Sequence, residues 1–367
     1  MSDLAINNLG NILDKQENEL GNEESIIKMN PKITVVGVGG GGGNMIAHMI
    51  NTHDLDVSYV AINTDAQALK NLSSNEKINV LQIGGKLTQG LGAGMKPEVG
   101  KESALENAGE LQKLLDGSDI VFIASGLGGG TGTGASPVVA QIAKGVGALA
   151  VAVVTEPFLF EGKKRIKLAE EGLRSLKIAS DSIIVIPNNK LLKVINKNMG
   201  LKESFKMVDE VLSQAVTGTS SIILSNGNND INLDFADLQT IMSHRGTALM
   251  GVGSFTGDDA ATEAINQAIN SPLLNDTSID GAMGVLVHFE THPDYPMLEL
   301  GEAMVIAENT ADENADVIFG TSTNKDLDLN TVNVTLIATG FERNLNTEFA
   351  SNEEKFFSLP EYLRETF

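Results

Sequence analysis

The sequence predicts an α/β chain: a mainly parallel N-terminal sheet with helices on both faces, a long central helix, and a smaller C-terminal α+β domain. Three observations predict it. From Lys32 to Ile186, short β-branched runs alternate with longer stretches of helical period, as in successive βαβ units. The runs are apolar at consecutive positions rather than alternate ones, as in strands covered by helices on each side. A long apolar-faced stretch without internal proline then leads into a second group of strands, and such a helix is suited to bridge two domains.

In chain order, residues 1–30 are rich in Asn, Glu, Asp and Gly with scattered apolar positions and read as a mostly disordered arm, ended by Pro31. Strands are expected at Ile33–Val38, Val57–Ile62, Ile120–Ala124, Ala148–Val154 and Ser182–Ile186. Helices are expected at Asn44–Asn51, Glu98–Leu115, Ala135–Lys144 and Glu161–Ile178. The central helix should run from Asn188 to about Leu224, with Phe205, Val208, Val211, Leu212 and Ala215 on its apolar face, until the polar loop 225–230 breaks it. Beyond it, strands are expected near 246–255, 284–289, 316–319 and 331–338. The chain thus divides into the arm 1–30, a domain 31–225 that includes the central helix, a domain 226–340, and a tail 341–367. The first domain has the architecture of nucleotide-binding proteins.

Composition narrows the function. The 367 residues carry a formal charge of −22, which argues against nucleic acid or an anionic membrane surface as a direct partner. A nucleotide is still admissible, because a few backbone N–H groups and a local basic residue outweigh a distant net charge. The chain has no cysteine, so disulfides, thiolate metal sites and a Cys nucleophile are excluded, and a reducing compartment is the natural setting. No apolar run approaches the roughly 18 residues of a spanning helix, and the N-terminus lacks the order of a signal peptide. A cytoplasmic protein without direct membrane insertion is expected.

Three glycine loops carry the chemistry. Gly37-Val38-Gly39-Gly40-Gly41-Gly42-Gly43-Asn44 follows a strand and opens a helix; there glycine lets backbone approach a ligand, and the helix start favours phosphate. Gly126–Gly134 repeats the arrangement after a later strand, with Thr131 and Thr133 adding hydroxyls within reach of the ligand, and Gly90–Gly94 has the same character. Two strand-to-helix turns in one parallel sheet can face the same edge and surround a polyphosphate. None ends in Gly-Lys-Ser/Thr, so this is no Walker-type site.

Two further elements stand outside the loops. Asn232-Leu233-Asp234-Phe235-Ala236-Asp237 is too acidic to cradle phosphate; its carboxylates suit orienting a water or holding a cation, or capping the following helix. In the tail, Phe356–Arg364 is an apolar island in polar surroundings, the form of a docking peptide.

The segments "GVGGGGGN", "AINTDAQAL", "QGLGAG", "GGGTGTGASPVVA", "FEGKKR", "PNNKLLKV" and "NLDFADL" occur in an order and at separations that resemble the tubulin/FtsZ family from Lys32 to about Gly340. The resemblance implies a GTPase that polymerises head to tail into filaments of the division ring, using GTP/GDP and Mg²⁺. Gly40, Gly41, Gly42, Gly43, Asn44, Gly130, Thr131 and Gly132 would hold the phosphates, with Ala93 and Gly94 closing over the γ-phosphate. Glu161 and Arg165 would contact the ribose and its neighbours; four residues apart, they are equally placed for an ion pair. Phe205 would stack on the base and Asp209 would accept from the guanine edge, which offers two adjacent N–H donors where adenine presents an acceptor. Asn232, Asp234 and Asp237 would act on the nucleotide of the next subunit. The tail peptide Leu359–Arg364 would bind membrane-tethering division proteins such as FtsA, across a short spacer from Phe341 that limits its reach.

Some residues depart from the family pattern: Glu156 where a basic or neutral residue is usual, Asn189 where Asp is common, and Ser243-His244-Arg245 where no His-Arg pair is usual. The histidines 48, 53, 244, 288 and 292 form no metal-ligand spacing. Two other functions compete. A dinucleotide-dependent oxidoreductase would use the G-x-G-x-x-G pattern and Asp65, but leaves the second glycine loop and the acidic element without a role. A non-hydrolysing scaffold of the same fold is disfavoured by the intact Asp234 and Asp237.

Overall fold

The computed structural model describes residues 31–53, 55–192, 200–224, 235–242, 247–274, 279 and 281–341. Its strands are β1 (Ile33–Val38), β2 (Ser58–Asn63), β3 (Ile78–Gln82), β4 (Ile120–Gly126), β5 (Leu149–Glu156), β6 (Ser182–Pro187), β7 (Thr247–Thr256), β8 (Gly284–Thr291), β9 (Asp316–Thr323) and β10 (Thr331–Thr339). They lie in the order β3-β2-β1-β4-β5-β6-β7-β10-β8-β9. The first six pair in parallel, with Val36 opposite both Val60 and Ile123. This 3-2-1-4-5-6 order reverses direction between β1 and β4, where open parallel sheets bind ligands at the carboxyl ends of their strands. The two halves are not separate sheets: Ile183 and Ile184 of β6 pair in parallel with Thr247 and Ala248 of β7. β10 runs antiparallel to β7 and β8, and β8 pairs in parallel with β9.

Apolar strands bury both faces, as the continuous β-branched runs require. On one face Val35, Phe122 and Val151 pack with Met45, Ile46 and Leu212; on the other Val36, Ile123 and Ala152 pack with Leu111, Val139 and Leu176. A third core joins Phe289, Val334 and Leu336 to Ile265 and Ala303.

The helices that position the site are α1 (Gly39–Thr52), α2 (Ala66–Leu72), α3 (Gly85–Thr88), α4 (Pro97–Glu106), α5 (Ala108–Leu115), α6 (Thr131–Gly145), α7 (Lys163–Ala179), α8 (Asn188–Leu191) and α9 (Leu201–Leu224). The expected helices beginning at Asn44 and Ala135 in fact begin at Gly39 and Thr131, because the glycine runs themselves form the first turns. The expected single helix over 98–115 is two, broken at Asn107, whose side-chain oxygen accepts from Gly84 N at 2.9 Å. Helix α9 packs against α1 and β5 on one side and against β8, β9 and β10 on the other. In the C-terminal part, α10 (Phe235–Met242), α11 (Ala260–Ile269) and α12 (Met297–Thr310) complete the described helices.

Candidate nucleotide site

The three glycine loops meet at the β1–β4 reversal. Val38 delivers the chain into Gly39, whose φ of +72° suits glycine. A methyl at Gly39 would lie 3.1 Å from Gly132 N, and one at Gly130 would lie 2.3 Å from the Gly94 carbonyl. The β2 end binds these loops together: Thr64 Oγ1 meets Thr131 Oγ1 at 2.7 Å, and the Thr64 carbonyl accepts from Gly92 N at 3.3 Å and from Thr88 Oγ1 at 3.2 Å. Gly100 of α4 closes the same junction, since a methyl there would lie 2.3 Å from the Gly130 carbonyl; neither Thr64 nor Gly100 carries a spacing signal, and sequence reasoning missed both.

The helix starts are left open to a ligand. Neither α1 nor α6 has a side-chain N-cap bond or an acidic residue in its first turn, so their first N–H groups remain free to bind an anion. Gly40, Gly41, Asn44 and Gly94 are exposed at this edge, and a methyl at Gly40 or Gly94 would meet no atom within 4 Å. Gly42 and Gly43 face inward instead: a methyl at Gly42 would lie 2.3 Å from the Ala124 carbonyl, and one at Gly43 3.1 Å from Leu72. Their glycine identity serves close packing of α1 on the sheet and on α2. Beside α1 a cavity of about 300 Å³ is lined by Gly39, Gly40, Asn44, Asn63 and Asn71 among others.

Thr133 corrects a sequence expectation. Its hydroxyl is buried and accepts from Gly128 N at 2.9 Å, so it holds the loop, with Gly128 at φ +97°, and does not face a ligand. Asp65 likewise has a local role. Its Oδ1 caps α2, accepting from Gln67 N at 2.8 Å and Ala68 N at 3.4 Å.

A second wall comes from α7 and α9. Glu161 Oε2 and Arg165 Nη1 lie 2.5 Å apart, and Glu161 Oε1 accepts from Phe158 N at 2.9 Å. The pair is therefore formed within the chain, with Arg165 45% exposed. Phe205 is 41% exposed and meets the buried Phe158 edge-on at 5.7 Å, while Phe158 stacks on Phe160 at 4.9 Å. Phe205 is thus not a plain core residue. One turn along α9, burial pushes the Asp209 carboxyl up to about 6, against the field of His48. A desolvated acceptor of this kind gains more from paired N–H donors than a hydrated one.

Two of the departures, Glu156 and Asn189, lie among the described residues. Asn189 Oδ1 accepts from Leu159 N at 2.9 Å, a bond an aspartate would also make. Burial raises the Glu156 carboxyl, aided by Glu170 and opposed by Lys177. Of the acidic element, Asp237 lies exposed in the first turn of α10. Asn232, Asp234, the Ser243-His244-Arg245 segment and the tail peptide 359–364 lie outside the described residues. No group of three His, Asp or Glu suited to a metal ion occurs among the described residues, and no helix among them is long and apolar enough to cross a membrane.

Residues 32–196 match the model of the tubulin/FtsZ family GTPase domain, and residues 246–342 that of the FtsZ family C-terminal domain. The cell division protein FtsZ of Helicobacter pylori strain J99 is 49% identical over 317 residues, covering 86% of this chain and 81% of its own. Among solved structures, an empty FtsZ dimer from M. jannaschii superposes with a TM-score of 0.81 at 45% identity, over 90% of this chain and 94% of that one. A GDP-bound CetZ1 monomer from Haloferax volcanii shares the fold, with a TM-score of 0.70 at 20% identity over 88% and 98% of the two chains. With a guanine-nucleotide-binding GTPase domain over residues 32–196 and an FtsZ C-terminal domain over residues 246–342, the chain belongs to the FtsZ family of tubulin-like GTPases.

Proposed function

We propose that this GTPase polymerises head to tail and forms the division ring at the septum, on the inner face of the membrane. The observation that carries the reading is the convergence of three glycine loops on one open sheet edge, with Phe205 and Asp209 beside it and the acidic element on a different part of the chain. The free N–H groups of α1 and α6 hold the phosphates, Gly94 and Ala93 close over the terminal one, Arg165 and Glu161 flank the ribose, and Asp209 accepts from the guanine edge. Mg²⁺, carried on the phosphate oxygens, would neutralise their charge.

These groups bind and orient the nucleotide; directing a water at the γ-phosphorus needs a further polar group. That role falls to Asn232, Asp234 and Asp237 of the next subunit, so that each contact between subunits completes one site. Water attacks the γ-phosphorus, the γ–β bridge bond breaks, and GDP and phosphate leave. The tail peptide Leu359–Arg364 would tether the filament to membrane-anchored division proteins such as FtsA.

The test is Asp237→Ala. As a water-orienting group its loss lowers turnover about a hundredfold while GTP-dependent sedimentation persists. Turnover at the wild-type rate would reduce Asp237 to a first-turn acid of α10 and remove it from the chemistry.

A further inference from the structure

One side-chain pair joins the helix that holds the phosphates to the helix that reads the base. His48 lies on α1 one turn past Asn44, and its Nε2 meets Glu210 Oε2 on α9 at 2.5 Å. Glu210 is the residue after Asp209, and its other oxygen accepts from Gln214 Nε2 at 3.0 Å. A carboxylate held on both oxygens is fixed in orientation, and charge-assisted bonds of this kind are the stronger ones. The Asp209 carboxylate, by contrast, has no hydrogen bond among the described residues, although it lies in the field of His48. Its position therefore follows that of α9, which packs on α1 and is tied to it beside Asp209 by the His48–Glu210 bond.

We infer that His48 and Glu210 are positioning residues for base specificity. They fix the separation between the phosphate-binding turn of α1 and Asp209, so that a guanine diphosphate seated on α1 presents N1–H and the 2-amino group to that carboxylate together. The inference rests on the reading of Asp209 as the guanine acceptor. Hypoxanthine nucleotides share the phosphates, ribose and N1–H but lack the 2-amino group. The ratio of GDP to IDP affinity therefore reports the alignment of Asp209, separately from phosphate binding. A pair that merely ties two helices at a half-exposed position would contribute little and would leave that ratio unchanged.

The experiment is displacement of a fluorescent GDP analogue by GDP and by IDP from the full chain, at protein concentrations below assembly. Glu210→Ala and His48→Ala should each lower the GDP-to-IDP ratio about threefold or more, through weaker GDP binding. Glu210→Gln, whose amide oxygen still accepts from His48, should keep most of it. Asp209→Ala should bring the ratio close to one. Ratios at the wild-type value in both alanine variants, or equal losses for GDP and IDP, would overturn the positioning role while Asp209 kept its place. A ratio that survives Asp209→Ala would overturn the base reading itself, and the positioning role with it.

Discussion

Gly100 touches no ligand in this account, yet its substitution should damage the site. It lies inside α4, buried against the second glycine loop, and a methyl there would sit 2.3 Å from the Gly130 carbonyl oxygen and 3.1 Å from Thr131 Cα. Cβ atoms essentially never approach closer than 3.0 Å, so that carbonyl must withdraw by at least about 0.7 Å. The same oxygen accepts from Gly134 N at 3.0 Å, so the first turn of α6 moves with it. Glycine to alanine inside a helix ordinarily stabilises by about 0.5–1 kcal/mol, whereas overpacking against backbone costs about 1–3 kcal/mol. Gly100→Ala should therefore lower stability by up to about 2.5 kcal/mol. A displacement approaching 1 Å at the phosphate turn should reduce GTP turnover about tenfold or more. Gly301 provides the comparison: it lies within α12, exposed, with nothing within 4 Å of its added methyl, so Gly301→Ala should stabilise and leave turnover unchanged. Urea midpoints and phosphate-release rates of the two variants test this packing role of Gly100. Equal stabilisation of both, with full turnover in Gly100→Ala, would refute it.

Two further expectations concern the same site. In its proposed role Asp209 accepts both guanine N–H donors only when ionised, and burial pushes its carboxyl up to about 6 from 3.8. The folded chain thus holds a proton that the unfolded chain has shed, so ionising Asp209 costs the nucleotide-free fold stability as pH rises from about 4 to about 6, with no further change above. GDP affinity should run the other way, flat above about pH 7 and falling by up to about tenfold per unit below 6; Asp209→Asn should abolish the slope, as pH-dependent titrations of GDP binding would reveal. Thr133→Val should leave the buried Gly128 N–H without its acceptor, cost about 1–3 kcal/mol, and weaken GDP binding, whereas Thr133→Ser should retain both; a valine variant with unchanged binding would free Thr133 from its structural role.

The legible part of this sequence was its periodicity and its punctuation. Ile33–Val38 and Ile120–Ala124 read as buried strands because apolar residues fill consecutive positions with only Thr34 polar among them, and the glycine runs after them marked the loops that meet at the reversal. Strand β3 escaped notice because it is an edge strand of five residues with its second, third and fifth positions exposed, which leaves no apolar run. The split of α4 from α5 escaped because its cause, the Asn107 bond to Gly84, spans 23 residues. Thr133 misled because a hydroxyl in a phosphate-binding loop reads the same whether it faces the ligand or turns back to its own loop. Gly42 and Gly130 show the same limit: sequence marks the glycine, and only packing says whether it opens a surface or closes a contact. The Glu210 bond to His48 joins residues 162 apart, and no local pattern announces it.

An active site completed by two chains makes GTP turnover per chain depend on protein concentration. Turnover should be negligible below a threshold and rise sharply above it, at the onset of sedimentable polymer. Turnover per chain that stays constant across the series, in a protein that remains monomeric throughout, would contradict it.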